Sequence, residues 1–519
     1  MFEFIGFIWF FRTSKIVLFY LYLWQLKEYH VGRFLDHFST DKGRKLIFNP
    51  VNILKIILLL VFPFVPLLTF FGTIAFYLFE FVKTSFDFAT KRIKLPILTK
   101  KSIFLISASL VLQIAFLFII FRNLWYFERF IIFWDVGDIV VFTFWILLFD
   151  VLTPLIVSIV VFLFQPFAVL MRNRMIKKAK AKREKLPNLL VVGITGSYGK
   201  TSTKEFLYTI LFSKFNGKVL KTKEHQNSEV GISQCILNNL NENHRIFIVE
   251  MGAYNVGGIK LLCDITRPRI GILTGINEQH MATFGSQGNI IKAKYELIES
   301  LPKDGIAFFN ARNKYCVELY NKTLQRGSGQ AFLYGQEAKF FGEENILGAM
   351  AVARELGMSE EEIQNAVNEI GNKMPGIKLK KGINRLNVID ATYSANPDGV
   401  IANLEYLKTL RQAQGKLIIV MPCLIELGKA SKEVHGRIGK KIAEVCDLAI
   451  ITTKDYFKEI VEGALLRQGY EGREIKKDNI LFLENPKEIF EKIKEFTKEG
   501  DVVLLESRVP KNLINLLLE

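Results

Sequence analysis

The first third of the chain is a series of long apolar runs. Ile56–Val82 holds 27 residues with one charge, Glu80; Ile103–Phe121 holds 19 with none; Ile139–Met171 holds 33 with only Asp150. Each reaches the roughly 20 apolar residues that cross a hydrocarbon core as a helix. An earlier stretch, Phe4–Trp24, is interrupted by Arg12 and Lys15, and suits either a span or a helix lying in the interface. Four such segments so close together exceed what a soluble core can bury, so residues 1–171 are expected to be a transmembrane helical region. Further spans follow the first and no small-residue cleavage site stands out, which argues against a cleaved signal peptide.

From Leu186 onward the pattern changes. Short β-rich runs such as Leu189–Ile194, Arg245–Val249, Ile270–Leu273, Gly305–Phe309, Leu417–Met421 and Leu448–Ile451 alternate with amphipathic stretches of helical period. Strands separated by helices of this size predict parallel α/β sheets. No repeats or low-complexity segments interrupt them.

Composition sharpens this division. Half of the 519 residues are hydrophobic and 45 are Phe, which excludes a disordered chain. Met1 to Pro187 carries 24 Lys and Arg against 11 Asp and Glu, and the remainder 44 against 40. The basic excess therefore lies with the apolar part, a membrane-facing pattern and not a nucleic-acid footprint. Arg172–Lys185, eight basic residues and one acidic, marks 172–187 as a polybasic juxtamembrane linker on the cytoplasmic side. The Thr84–Lys101 loop is basic and Arg122–Asp138 nearly balanced, so the third run leaves the cytoplasm and the fourth returns. The 25–50 loop is basic too, which conflicts with a single crossing at 56–82; Pro63 and Pro66 suit a re-entrant or broken helix there. The number of spans and the oligomeric state are left open. Cys235, Cys263, Cys316, Cys423 and Cys446 are odd in number and lack C-x-x-C spacing, which argues against a disulfide framework and a zinc site. A reduced compartment suits them. The expected location is the cell (inner) membrane, multi-pass, with the α/β part in the cytoplasm.

The sharpest local signal is Gly193-Ile-Thr-Gly-Ser-Tyr-Gly-Lys-Thr-Ser-Thr203, which follows an apolar strand and opens a helical stretch. Glycines let the backbone bend so that successive N–H groups face phosphate oxygens, and the helix N-terminus adds positive potential. The strict pattern would place its first glycine at Ile194, so this is a G-x-x-G-x-x-G-K-T variant. Thr195, Gly196, Ser197, Gly199, Lys200, Thr201 and Ser202 are the candidate nucleotide contacts. Lys200 would reach the β- and γ-phosphates, and the Thr201 hydroxyl would ligate Mg²⁺.

In this form the loop resembles that of the Mur ligases, above all their D-alanyl-D-alanine-adding branch. Further stretches resemble the family's motifs in its order: Asn227-Ser-Glu-Val-Gly231, Val249-Glu-Met-Gly252, Thr274–Ser286, Ala293-Lys-Tyr-Glu296, the adenine-side Asn345–Ala351, Ile389–Asp398, Glu426-Leu-Gly428 with His435, and Gly500–Arg508. The resemblance covers about 190–510. It implies an ATP-binding α/β P-loop central domain over 188–375 and an α/β Rossmann-like C-terminal domain over 376–519. The implied activity is ATP-dependent ligation of an amino acid or D-Ala-D-Ala dipeptide to a muropeptide carboxylate, activated as an acyl phosphate, in peptidoglycan synthesis.

Joining a carboxylate to an amine needs phosphoryl activation, which is mostly the work of Mg²⁺ and fixed cationic and N–H donors. Glu250 and His280, each in or just after a β-rich run, fall near the carboxyl ends of a parallel sheet, where ligands bind. They match the family's metal ligands, alongside Thr201 and Lys294. Lys294 also matches the lysine that family members carbamoylate into a ligand for a second Mg²⁺ or a substrate-orienting group. Lys200, His280 and Lys294 are thus the candidate catalytic residues, Asn345 an adenine-side contact, and Asn227, Tyr393, Asn396 and Asp398 substrate-side residues. His30, His37, His225 and His244 have no motif partner and read as surface or structural. His435 reads as positioning a loop.

Departures from the family cluster in recognition elements. Membrane-type segments stand where the family's uridine-diphosphate-gripping domain is usual. Arg312 stands for an Asp, Glu344 for the adenine-side His, Ala391 for a second Asp and Ser394 for an Asn. The linker arginine falls at Ile377, with Lys378 as a stand-in, and Glu506 stands at the closing Lys-Gly. The acceptor is accordingly either a soluble muropeptide or a lipid-linked carboxylate at the bilayer. Two rival readings share these motifs: a polyglutamate-type or lipid-amidating ligase, and a membrane-bound P-loop ATPase switch without ligase activity.

Overall fold

The computed structural model describes residues 1–130, 137–224, 226–327, 329–339, 342–370, 378–392, 396–410, 415–466 and 475–518. They fall into two compact units, Met1–Met171 and Arg172–Glu519.

The first unit is helical: Phe2–Leu26, Val31–Ser39, Asp41–Ile47, Pro50–Val61, Pro66–Ala89, Lys100–Phe130, and Asp138–Glu184 as far as Met171. Four helices among the described residues are long and apolar enough to cross a membrane: Phe2–Leu26, Pro66–Ala89, Lys100–Arg122 and Asp138–Glu184. Phe2–Leu26 runs unbroken through Arg12 and Lys15, because Arg12 finds Asp150 and Glu80 inside the bundle and Lys15 finds Asp87. The apolar run 56–82 is not one helix. It breaks between Val61 and Pro66, where a proline ring excludes the helical conformation from the preceding residue, and Val65 takes φ −141°, ψ 67°.

Cross-helix pairs set the directions. Trp9 Nε1 donates to the Ile146 carbonyl at 2.8 Å, and Trp24 Nε1 to Ser158 Oγ at 3.2 Å, so Phe2–Leu26 runs parallel to the helix that starts at Asp138. Arg12 with Glu80 and Lys15 with Asp87 align Pro66–Ala89 with both, while Ser14 with Gln113 and Gln25 with Ile97 set Lys100–Phe130 antiparallel. The outer surface is apolar: Phe4, Phe79 and Leu163 are 61%, 67% and 76% exposed. An apolar exterior of this extent marks an interaction surface.

The second unit holds two six-stranded sheets. The first is β1 (Leu190–Thr195), β2 (Val219–Lys221), β3 (Ile246–Glu250), β4 (Ile270–Leu273), β5 (Ile306–Asn310) and β6 (Gln330–Tyr334), in the order β2-β3-β1-β4-β5-β6 and parallel throughout. The second is β7 (Lys378–Lys381), β8 (Asn387–Ala391), β9 (Leu417–Met421), β10 (Leu448–Ile451), β11 (Ile480–Phe482) and β12 (Val502–Glu506), in the order β11-β10-β9-β12-β8-β7, with only β7 antiparallel. Helices cover both faces, so the central strands are continuous Val/Ile/Leu runs buried on both sides. Phe247, Val249 and Leu273 pack on one face of the first sheet and Ile248, Ile272 and Leu207 on the other. All five cysteines are free thiols buried in these layers.

The order of the first sheet places β3 and β4 on either side of β1. Their carboxyl ends, at Glu250 and Leu273, therefore converge on the turn that leaves Thr195. That is the switch point at which open α/β sheets take ligands.

Candidate active site

The turn after β1 is held from three sides. Thr195 Oγ1 donates to the Met251 carbonyl at 2.9 Å, the Ser197 amide to the Gly275 carbonyl at 2.6 Å, and the Asn277 amide to Ser197 Oγ at 3.2 Å. Gly199 takes φ +77° as it starts the helix Lys200–Phe215, and a Cβ there would overlap Asn345 Oδ1. A Cβ at Gly196 would overlap Thr274 Oγ1. Both glycines are thus required by close approach. Asn345 accepts from Thr203 Oγ1 at 3.3 Å behind the turn, and Ser202 is half-buried in the helix's first turn. The first amides of that helix have no partner within it, which leaves donors directed at an anion. Lys200 folds back so that its Nζ donates to the Gly196 and Ser197 carbonyls at 2.8 and 3.2 Å.

Glu250, at the end of β3, lies against the same helix. Its Oε2 accepts from Thr201 Oγ1 and Lys204 Nζ, both at 3.1 Å, and its Oε1 from Asn227 Nδ2 at 3.1 Å. Burial pushes this carboxyl up, but Lys204, Lys200 and the Asn227 amide outweigh it and hold it ionised below the usual range. A hydroxyl and a carboxylate side by side at a phosphate turn are a hard-oxygen pair that suits Mg²⁺, which keeps several waters and shares phosphate oxygens. Among the described residues no three His, Cys, Asp or Glu converge.

His280 and Lys294 complete the cluster. His280 precedes the short helix Met281–Phe284 at φ +66°, a strained conformation for a non-glycine residue. Its Nδ1 lies 2.6 Å from Glu426 Oε2. An ionised carboxylate only accepts, so Nδ1 carries the proton and Nε2 keeps its lone pair. Burial, helped by Lys294 and Lys200, lowers the His280 pKa against the pull of Glu426 and keeps the ring neutral. Lys294, 3% exposed on the helix Gln287–Glu299, is pushed down to about 7 by burial and by the Lys200 charge. The Lys200 ammonium thus acts electrostatically on Glu250, His280 and Lys294 alike, which places all four in one neighbourhood.

Beside the turn lies a cavity of about 630 Å³ between the two sheets' domains, lined among others by Tyr198, Asn310, Arg312, Glu344 and Asp398. That volume suits a nucleotide-sized ligand. Asn277 spans the junction: its Nδ2 donates to Asn396 Oδ1 at 3.2 Å and Asp398 Oδ2 at 3.1 Å. Arg437 closes the rim onto Glu278 at 3.2 Å.

Comparison with known proteins gives this arrangement its family. Residues 194–374 match the Mur ligase middle domain and 377–508 the Mur ligase glutamate ligase domain, together about three-fifths of the chain. The chain belongs to the Mur ligase family. It is 27% identical over 344 residues to the UDP-N-acetylmuramoyl-tripeptide–D-alanyl-D-alanine ligase of Bacillus subtilis, covering 61% of this chain and 72% of that one. With the ligase of the same name from Synechocystis it shares 30% over 284 residues, 49% of this chain and 59% of that one. It therefore spans less than two thirds of the length of some curated relatives. Crystal structures of MurF from Acinetobacter baumannii and of MurF ligase from Thermotoga maritima in complex with ADP share the fold, with TM-scores of 0.55 and 0.53. They are 22% and 23% identical, each match covering 66% of this chain and 80% and 83% of theirs.

Within this Mur ligase chain the sequence-selected residues meet in part. Thr195 to Ser202, Glu250, His280, Lys294 and Asn345 gather around the turn. Asn227 donates to Glu250, and Asn396 caps the helix Pro397–Thr409 by accepting from the Gly399 amide at 2.9 Å. Tyr393, Ser394, Ile377 and His225 lie outside the described residues; Lys378 begins β7. His435 holds the loop before Glu426, accepting from the Leu424 amide at 2.9 Å and donating to the Ser431 carbonyl at 2.6 Å. Arg312 and Glu344 are turned to local backbone, on Ala338 and Gly342. Glu426, Asn277 and Lys204 take their roles only on folding, because their partners are far away in sequence.

Proposed function

We propose that this Mur ligase is a membrane-anchored, ATP-dependent amide ligase of peptidoglycan precursor synthesis, coupling an amino acid or D-Ala-D-Ala to a muropeptide carboxylate. The observation that carries it is the meeting of Thr201 and Glu250 under the phosphate turn, with Lys200, His280 and Lys294 around them. Thr201 and Glu250 would hold Mg²⁺, with His280 Nε2 as a nitrogen donor and a carbamoylated Lys294 as an oxygen donor, and the ion would supply charge neutralisation for phosphoryl transfer. Lys200 swings from its backbone carbonyls onto the transferring phosphate, and the helix amides hold the β-phosphate. The substrate carboxylate takes the γ-phosphoryl group as an acyl phosphate, and the amine then displaces phosphate. Lys294 is primed for carbamoylation because burial favours its neutral amine, the form that attacks CO₂. The cavity beside Tyr198 takes the nucleoside, and the domain carrying Asp398 and Arg437 closes over it.

The membrane-type helices of residues 1–171 support a multi-pass location in the cell membrane, with the ligase part in the cytoplasm. They also favour a second reading in which the acceptor is lipid-linked. Product-resolved mass spectrometry with soluble and lipid-linked muropeptides side by side decides between the two. ATP hydrolysis that ignores every carboxylate and amine offered would instead mark an ATPase switch.

A further inference from the structure

The first unit holds a second cavity, of about 880 Å³, that takes no part in nucleotide chemistry. Its floor is charged. Arg12, Lys55, Glu80 and Asp150 all line it, and none is more than 6% exposed. Asp150 Oδ1 receives both Arg12 and Lys55, the latter at 3.3 Å, and Arg12 Nε faces Glu80 at 3.6 Å. Ionisable groups at such depth are costly and mark function more often than support. The four charges cancel among themselves, and Glu80 Oε1 also faces the Lys83 ammonium at 3.6 Å.

The rim is different. Lys83, Arg92 and Lys94 line the cavity and are exposed, on the side where the helix Pro66–Ala89 ends, with Lys83 3.6 Å from the floor carboxylate Glu80. Lys15 lines it too but is held by Asp87 at 2.6 Å. Counting Asp87, six cations face three carboxylates, an excess of three positive charges. The wall made by Leu152 and Leu155 is 39% and 58% exposed, so the cavity opens sideways onto the apolar exterior. A soluble anion has no use for that wall. A zwitterionic headgroup brings its own cation and leaves the excess unmatched.

We propose that this cavity binds a membrane lipid with a phosphate headgroup, its phosphate at Lys83, Arg92 and Lys94 and its chain along Leu152 and Leu155. The proposal rests on the membrane reading of residues 1–171 and is independent of the ligase reading. The test uses the full chain in phosphatidylcholine nanodiscs doped with phosphatidic acid, followed by native mass spectrometry. One phosphatidic acid per chain should be retained in preference to phosphatidylcholine. Lys83→Gln, Arg92→Gln and Lys94→Gln should each weaken retention roughly five-fold, the effect of one cation at a bilayer surface. Leu155→Trp, with every charge intact, should weaken it by obstructing the wall. Failure of the chain to enter the nanodisc overturns the membrane reading. Entry without preference for phosphatidic acid, or retention unchanged in these variants, overturns the site. Displacement by inorganic phosphate at equal concentration overturns the lipid in favour of a soluble anion.

Discussion

Glu426 reaches His280 across 146 positions of chain, and both residues take positive φ to meet. A carboxylate that orients a ligating imidazole typically changes metal affinity 10–100-fold. Glu426→Gln is therefore expected to weaken Mn²⁺ binding to the nucleotide-bound chain by about that factor, read by electron paramagnetic resonance, with the fold intact by circular dichroism. Lys200→Ala should abolish ATP turnover, and turnover equal to the parent chain would refute the phosphate-turn assignment. Lys294→Ala should regain part of its activity with added short-chain carboxylates. Glu506 makes a different point. It ends β12 at 1% exposure, and burial raises its pKa from 4.5 to about 7 despite hydrogen bonds from Asn403 and Ser507. Between those values the folded chain holds a proton that the unfolded chain has lost. The stabilisation is complete below about pH 4.5 and disappears as pH rises through about 7. Glu506→Gln removes that dependence, so its stability relative to the parent should rise by on the order of 3 kcal/mol from pH 4 to pH 8, measured by denaturant unfolding.

At the scale of elements, the strand–turn–helix from Leu190 to Phe215 was legible because its signals are local: an apolar run, glycines at the bends, then helical period. What the turn closes against was not legible. Asn345 approaches Gly199 from another helix, and only the packed structure shows why no side chain fits there. Gly199→Ala combines that overlap with a φ of +77°, and should lower kcat/KM for ATP by about ten-fold or more, given a local strain of ~1–3 kcal/mol. The break at Val61–Pro66 was foreshadowed by its prolines. The continuity of Phe2–Leu26 through Arg12 was not, because the counter-charge Asp150 comes from a distant helix.

At the scale of the molecule, the two units differ in the surface they present. Residues 172–519 bury their apolar strands between helices on both sheet faces, and expressed alone they should be soluble and bind nucleotide. Residues 1–171 present Phe and Leu outward and should need detergent, a contrast that size-exclusion chromatography of the two fragments reads directly. Sequence alone determined which stretches are apolar enough for a bilayer, which turn suits phosphate, and which family the motifs resemble, since each depends on residues adjacent along the chain. Tertiary structure alone decided that Asn227 serves Glu250, that Asn277 bridges two domains, that Glu426 turns His280, and that Arg12 and Lys55 share Asp150 beside a cavity. Those outcomes depend on which side chains meet after folding, and strand order and helix packing set such meetings with no trace in local spacing.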